Sequence, residues 1–155
     1  MKIGISADHG GYPLKEVVIQ AVEKFGFEAV DFGTDSEESV DYPDFTEKVG
    51  RAIQAGEVER GIVLCGSGVG ACIAANKMEG VYAAVCHDTY SARQGVEHDA
   101  MNVLCLGSRI IGPELVKELV PAFLGAKFSG NDPGEERHLR RVSKVKQLEK
   151  KGKLT

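Results

Sequence analysis

Short apolar runs alternate with longer amphipathic stretches along the chain. Residues 2–6 read as a strand. Residues 13–25 read as a helix that turns Leu14, Val17, Val18, Ala21 and Val22 inward at three- and four-residue spacing. A second strand is predicted over 28–32. After the turn-rich segment 33–41, a helix runs from Pro43, whose fixed φ suits a first helical turn, to Ala55. Residues 61–65 predict a buried strand, and the glycine loop behind it opens a helix that reaches Asn76. Strands over 81–86 and 102–106 and helices over 91–96 and 114–124 continue the pattern, for five strands and five helices up to residue 124. Such alternation predicts an α/β fold, a three-layer sandwich in which right-handed crossovers join five parallel strands and helices cover both faces.

Sites in such sheets lie beyond the carboxyl ends of the strands. Asp8 and His9 follow the first strand, Cys65 ends the third, and Arg109 follows the fifth. His98 precedes the fifth strand, at the opposite end, so a reactive role for it needs a neighbouring subunit or a folded-back loop. Residues 128–136, with Gly130, Asn131, Pro133 and Gly134, interrupt regular structure before a last helix over 135–150.

Composition narrows the picture further. The chain has 155 residues, of which 43% are hydrophobic and 27% charged, which is ordinary for one globular domain spanning 1–155 and excludes disorder or a coiled coil. The longest uncharged stretch, residues 61–76, is short of a membrane span and broken by glycines. The N-terminus meets Asp8 and His9 too early for a signal peptide, so a cytoplasmic location is expected. From Arg137 onward eight Lys/Arg stand against Glu149, a tail of +7; with a net charge of −4, the rest carries −11. Leu139, Val142, Val145 and Leu148 recur there at helical spacing, which favours a packed helix over a nucleic-acid arm. That helix is expected to extend from the body and dock on a partner subunit. Cys65, Cys72, Cys86 and Cys105 form no C-x-x-C pair, so neither a disulfide framework nor a metal site is expected.

The strongest chemical signal is Cys65-Gly66-Ser67-Gly68-Val69-Gly70-Ala71, a strand running into a glycine-rich turn and then a helix. Its amides suit an anion, and they favour the thiolate, the form in which a cysteine works as base or nucleophile. The spacing also fits the dinucleotide fingerprint, but the loop follows the third strand rather than the first. A buried inert thiol in a tight turn is the plain alternative. As a nucleophile, Cys65 calls for a histidine and an orienting acid such as His98 and Asp99; as a base beside a carbonyl, it has loop amides for the enediolate oxygen. Spacing leaves both open. Asp8-His9-Gly10-Gly11 is a second candidate, or a solvated turn. His98 and His138 read equally as surface histidines, and His87-Asp88 as a helix cap. Arg137 and Arg141, four apart, suit a phosphate or a solvated face, and Arg109 is a third guanidinium.

Asp8-His9-Gly10-Gly11, Gly33-Thr34, Asp41-Tyr42-Pro43, the segment Cys65 to Gly70, Ala74-Ala75-Asn76-Lys77, His98, Asn102-Val103-Leu104, Gly107-Ser108-Arg109 and Arg137-His138 together resemble the type B ribose-5-phosphate isomerase family, which includes galactose-6-phosphate isomerase subunits. The resemblance runs from Met1 to about Lys146. It implies a Rossmann-like sheet, a homodimer or dimer of dimers with a shared site, and cofactor-free interconversion of ribose 5-phosphate and ribulose 5-phosphate. It implies Cys65 as the base that moves a proton through an enediolate, and Gly66, Gly68, Val69 and Gly70 in the anion loop. Ser67 would assist at the oxygens and His98 would open the sugar ring. Asp8 and His9 would hold the sugar, and Arg109, Arg137 and Arg141 the phosphate, some across the dimer. Another aldose or ketose phosphate (allose, galactose or tetrose phosphate) is the alternative substrate, and a non-catalytic sugar-phosphate or nucleotide-binding module the rival function.

Three positions depart from the family's pattern. Ser67 replaces the usual Thr and keeps the hydroxyl. The usual His-Asn-Asp-Ala-Asn is His98-Asp99-Ala100-Met101-Asn102, which puts an acceptor carboxylate where an amide stands and bears on substrate choice. The stretch before Arg137 is about four residues longer, through 131–134.

Overall fold

The structure, a computed structural model, describes residues 1–154. Five strands, β1 (Lys2–Ala7), β2 (Glu28–Asp31), β3 (Arg60–Cys65), β4 (Ala83–Val85) and β5 (Val103–Gly107), form one parallel sheet in the order β2-β1-β3-β5-β4. The helices are α1 (Tyr12–Lys24), α2 (Tyr42–Gln54), α3 (Val69–Ala75), α4 (Thr89–Asp99), α5 (Pro113–Gly125) and α6 (Glu136–Lys151). The alternation expected from the sequence is the one observed.

The period of two in the strands sorts the core into two layers. Ile3, Ile5, Ile62, Leu64, Leu104 and Leu106 face α1, α4 and α5, while Val63, Cys65, Val103 and Cys105 face α2 and α3. In α1 the buried positions Leu14, Val18 and Val22 recur every four residues, with Val17 and Ala21 packed at the margin. Full burial of each such side chain is worth about 1.5 to 3 kcal/mol. Lys15 on the same helix is also buried, its ammonium bonded to both Asp31 carboxylate oxygens (3.0 and 2.9 Å) and to the Thr34 carbonyl (2.6 Å). That ion pair ties α1 to the end of β2.

β4 is shorter than the apolar run 81–86 suggests. Two asparagine side chains stand in for ladder partners at its start: Asn102 Oδ1 accepts from Tyr82 N–H (2.8 Å), and Asn76 Oδ1 accepts from Ala83 N–H (2.9 Å). α4 in turn begins two residues earlier than predicted because Asp88 caps it, accepting from Ser91 N–H at 2.7 Å.

The C-terminal helix corrects the sequence-based expectation. It does not extend away but lies back on its own chain, packed on α4, with Glu149 bonded to Gly80 N–H and to the Tyr82 hydroxyl, both at 3.0 Å. Of its four apolar residues only Val142 is buried; Leu139, Val145 and Leu148 are each more than 40% exposed. Among the described residues no helix is long and apolar enough to cross a membrane.

Candidate active site

The strand order reverses between β1 and β3, since the chain leaves β1 toward β2 on one side and β3 toward β5 and β4 on the other. A crevice forms beyond the carboxyl ends at such a switch point. Here it is a cleft of about 340 Å³ whose walls include Asp8, Tyr42, Cys65, Ser67 and Arg109.

Cys65 is the last residue of β3 and is 5% exposed. The loop that follows curls back over it, and Gly68 N–H donates to Cys65 Sγ at 3.1 Å. Gly68 makes that curl possible, because its φ of +82° lies in the left-handed region that side chains disfavour. Ser67 is exposed beside the thiol, its hydroxyl accepting from Val69 N–H at 3.2 Å. The arrangement sets the sulfur, the Gly68 amide and the Ser67 hydroxyl close together at the entrance to α3.

Asp8 is buried at the end of β1 and accepts from Gly11 N–H at 2.9 Å, which fixes its carboxylate at the cleft floor. His9 follows it, with Nδ1 against Val40 N (3.1 Å) and Val40 O (3.2 Å). Arg109 enters from the turn after β5: its N–H donates to the Gly66 carbonyl (3.0 Å) and its guanidinium lies over Gly66. The Ser108 hydroxyl reaches the Gly10 carbonyl, joining the loops after β1, β3 and β5 into one unit. Gly107 packs so closely that a Cβ there would stand 2.6 Å from the Ser67 carbonyl group. Gly107→Ala is therefore expected to lower stability by about 1 to 3 kcal/mol, an overpacking penalty, read as a lower calorimetric Tm. An unchanged Tm would mean that the two loops part freely.

Tyr42, at the start of α2, closes the cleft with its ring against Gly70. Sequence reasoning assigned it no part, although the quoted Asp41-Tyr42-Pro43 motif was a signal. His87 was read as part of a cap; Asp88 alone caps, and His87 Nε2 instead accepts from Gly107 N–H at 3.0 Å.

The remaining candidates lie elsewhere. α4 runs antiparallel to the strands and delivers His98 to the amino end of β5, on the order of 15 Å from Cys65 for a strand rising about 3.3 Å per residue. His98 Nδ1 is bonded to the Gln94 side-chain amide at 2.9 Å, and its ring stacks on His138 with centroids 3.9 Å apart. His138 is thus not a surface residue but 4% exposed, sheltered by that stack. Glu135 Oε2 lies 3.0 Å from His138 Nε2 and 2.9 Å from Arg137 Nη2. Arg137 and Arg141 are exposed on one face of α6, and Asp99 is exposed where α4 ends. Within one chain the candidate residues form two groups: Asp8, His9, the Cys65 loop and Arg109 at one end of the sheet, and His98, Asp99, Arg137 and Arg141 at the other.

All four cysteines are free thiols. Cys72, on α3, is the one with the pKa brought down, to about 6, chiefly by a hydrogen bond shared with Cys105 and against the opposing effect of burial. Burial pushes Cys86 up to about 11.

Residues 3–145 match the ribose/galactose isomerase family. The chain belongs to that family. It is 42% identical to ribose-5-phosphate isomerase B of Escherichia coli over 150 residues, 97% of each chain. A solved structure of Clostridium thermocellum ribose-5-phosphate isomerase B superposes with a TM-score of 0.91 at 49% identity, covering 99% of this chain and all of that one. The D-erythrulose-4-phosphate isomerase of Pectobacterium atrosepticum is 42% identical over 131 residues, 84% of this chain and 86% of that one. The cleft at the switch point thus belongs to a ribose/galactose isomerase fold from end to end.

Proposed function

We propose that this isomerase interconverts ribose 5-phosphate and ribulose 5-phosphate through an enediolate, without a cofactor. The observation that carries the reading is a buried thiol that accepts from the Gly68 amide of a glycine loop, in a chain alike along nearly its whole length to isomerases named for that sugar. Cys65 removes the proton from carbon 2 of the open-chain aldose, and the electrons of that bond form the carbon 1 to carbon 2 double bond. The charge gathers on the carbonyl oxygen, where the amides of Gly66, Gly68, Val69 and Gly70 receive it. Ser67 assists proton movement between the two oxygens, and Cys65 returns its proton to carbon 1. Asp8 and His9 hold the sugar hydroxyls, and Arg109 takes the phosphate.

The second group of residues completes this site from a second copy of the chain. His98 of one subunit protonates the ring oxygen of sugar bound at Cys65 of the other, while Arg137 and Arg141 add charge at the phosphate. Two observations support a homodimer, or a dimer of dimers. Val69 and Ile73 on α3 and Ile110 in the cleft wall are each more than half exposed, apolar surface that suits a subunit contact. The +7 tail and the −11 remainder attract one another across copies. The same reading has α6 meeting the partner through Leu139, Val145 and Leu148. The free thiols suit a reducing cytoplasm.

A panel of pentose, tetrose and hexose phosphates tests the proposal, with the highest kcat/KM expected on ribose 5-phosphate. No turnover on any of them overturns it. Preference for a tetrose phosphate would instead place the chain with the Pectobacterium relative. Asp99 is the residue expected to tune that choice, because its carboxylate accepts where the family's amide donates. Asp99→Asn should shift the kcat/KM ratio between ribose 5-phosphate and a hexose 6-phosphate about tenfold, or about 1.4 kcal/mol. An unchanged ratio would show that Asp99 does not select the sugar.

A further inference from the structure

His87 lies just past the carboxyl end of β4, outside the residues assigned to the reaction. The ladder between β4 and β5 stops at Val85 and Cys105, two residues short of Gly107. Gly107 is buried, and its N–H would have no strand partner on that side; the imidazole fills the place, accepting at Nε2 from 3.0 Å. The turn that this bond anchors carries much of the cleft. Ser108 N–H donates to the Cys65 carbonyl and Arg109 N–H to the Gly66 carbonyl, both at 3.0 Å, and Gly107 itself faces Cys65 in the β3–β5 register. A shift of Gly107 therefore moves both the loop that holds the thiol and the arginine above it.

An imidazole nitrogen accepts a hydrogen bond only while it carries no proton. We infer that His87 is a positioning residue for the isomerase site: its neutral ring fixes the Gly107–Arg109 turn against the Cys65 loop, and its protonation releases that turn. Partial burial lowers the His87 pKa from the ordinary 6.5, with the Asp88 carboxylate opposing more weakly, so the ring is neutral at neutral pH. Its ionisable neighbours along the chain are Cys86 and Asp88, and the Gly107 amide that it holds leads to Arg109 two residues on and faces Cys65 in the β3–β5 register. Folding favours the neutral form, so its contribution to stability is present above about 6.5 and is lost as the pH falls through the lower folded value.

The role rests on the isomerase reading, and two kinds of readout keep them separable. In wild-type protein labelled with nitrogen-15, the Gly107 amide resonance is expected to move with pH along the titration of the His87 ring, whether or not any sugar is turned over. A Gly107 resonance indifferent to that titration overturns the inference. Turnover of ribose 5-phosphate by the wild type over a range of pH is the second readout, and its complete absence counts against the isomerase reading alone. His87→Leu removes the acceptor, and kcat/KM should fall about 10- to 100-fold, with kcat lowered and KM raised together, as expected for a misplaced site. His87→Gln offers a neutral acceptor of similar reach. It should recover most of the loss and should shift or simplify the acid limb of the pH profile. Wild-type kinetics in His87→Leu, equal impairment of the two variants, or an acid limb unaltered in His87→Gln would each overturn the role. Should His87→Leu not fold, the His87→Gln pH profile and the Gly107 resonance decide the matter.

Discussion

Replacing Cys65 by alanine is expected to lower kcat for ribose 5-phosphate by about 10²- to 10⁴-fold, the usual cost of removing a general base, while the fold stays intact. The side chain ends a strand whose neighbours Leu64 and Val63 carry the packing, and alanine keeps the backbone that Ser108 N–H bonds. What the substitution deletes is the sulfur that Gly68 N–H addresses, and the other side chains lining the cleft put no thiol in its place. Circular dichroism and the thermal midpoint should match the wild type, and a coupled assay should show the loss. Near-normal kcat in a folded Cys65→Ala protein would transfer the proton step to Ser67 or to the Asp8 carboxylate. Alkylation gives a second view, but only when read residue by residue. Cys72, with its pKa down at about 6, will also react, so substrate protection must be followed at the Cys65 peptide by mass spectrometry.

The sequence made some of this architecture legible and hid the rest, for identifiable reasons. Strand and helix periods were readable because β3 and β5 are buried on both faces and α1 presents a regular apolar stripe, so burial alone dictates residue type. The residues beyond β1, β3 and β5 could be named because the carboxyl-end rule needs only element order. What stayed hidden depends on contacts between distant side chains. Asn76 and Asn102 shorten β4 by replacing ladder bonds, and neither residue type announces that role. His87 meets Gly107 across twenty positions, and the ring of Tyr42 meets Gly70 across the cleft mouth. His138 was read as a surface residue because its burial comes from stacking on His98, forty positions earlier in the chain. The apolar stripe of α6 was recognised, but periodicity could not say that only Val142 would be covered by the chain itself.

That uncovered stripe, together with the separation of His98 from Cys65, leads to the second large effect. A hybrid dimer in which one subunit carries Cys65→Ala and the other His98→Asn should be active, although each parent homodimer is nearly inactive on cyclic ribose 5-phosphate. Each proposed site takes its thiol from one subunit and its ring-opening histidine from the other. One site of the hybrid therefore inherits both substitutions, and the second inherits neither. Hybrids isolated through two different affinity tags should then turn over at about half the wild-type rate, since a twofold-symmetric dimer has two equivalent sites and one is restored. If thiol and histidine acted within one chain, every site in the hybrid would carry one lesion, and activity would not exceed the mean of the two parents. That outcome would require α4 to bring His98 round to the carboxyl end of its own sheet, against the direction in which the helix runs. Sedimentation of the hybrid must accompany the assay, because failure of the subunits to associate would remove the shared site altogether and leave the cleft, with Ile110 in its wall, open to solvent.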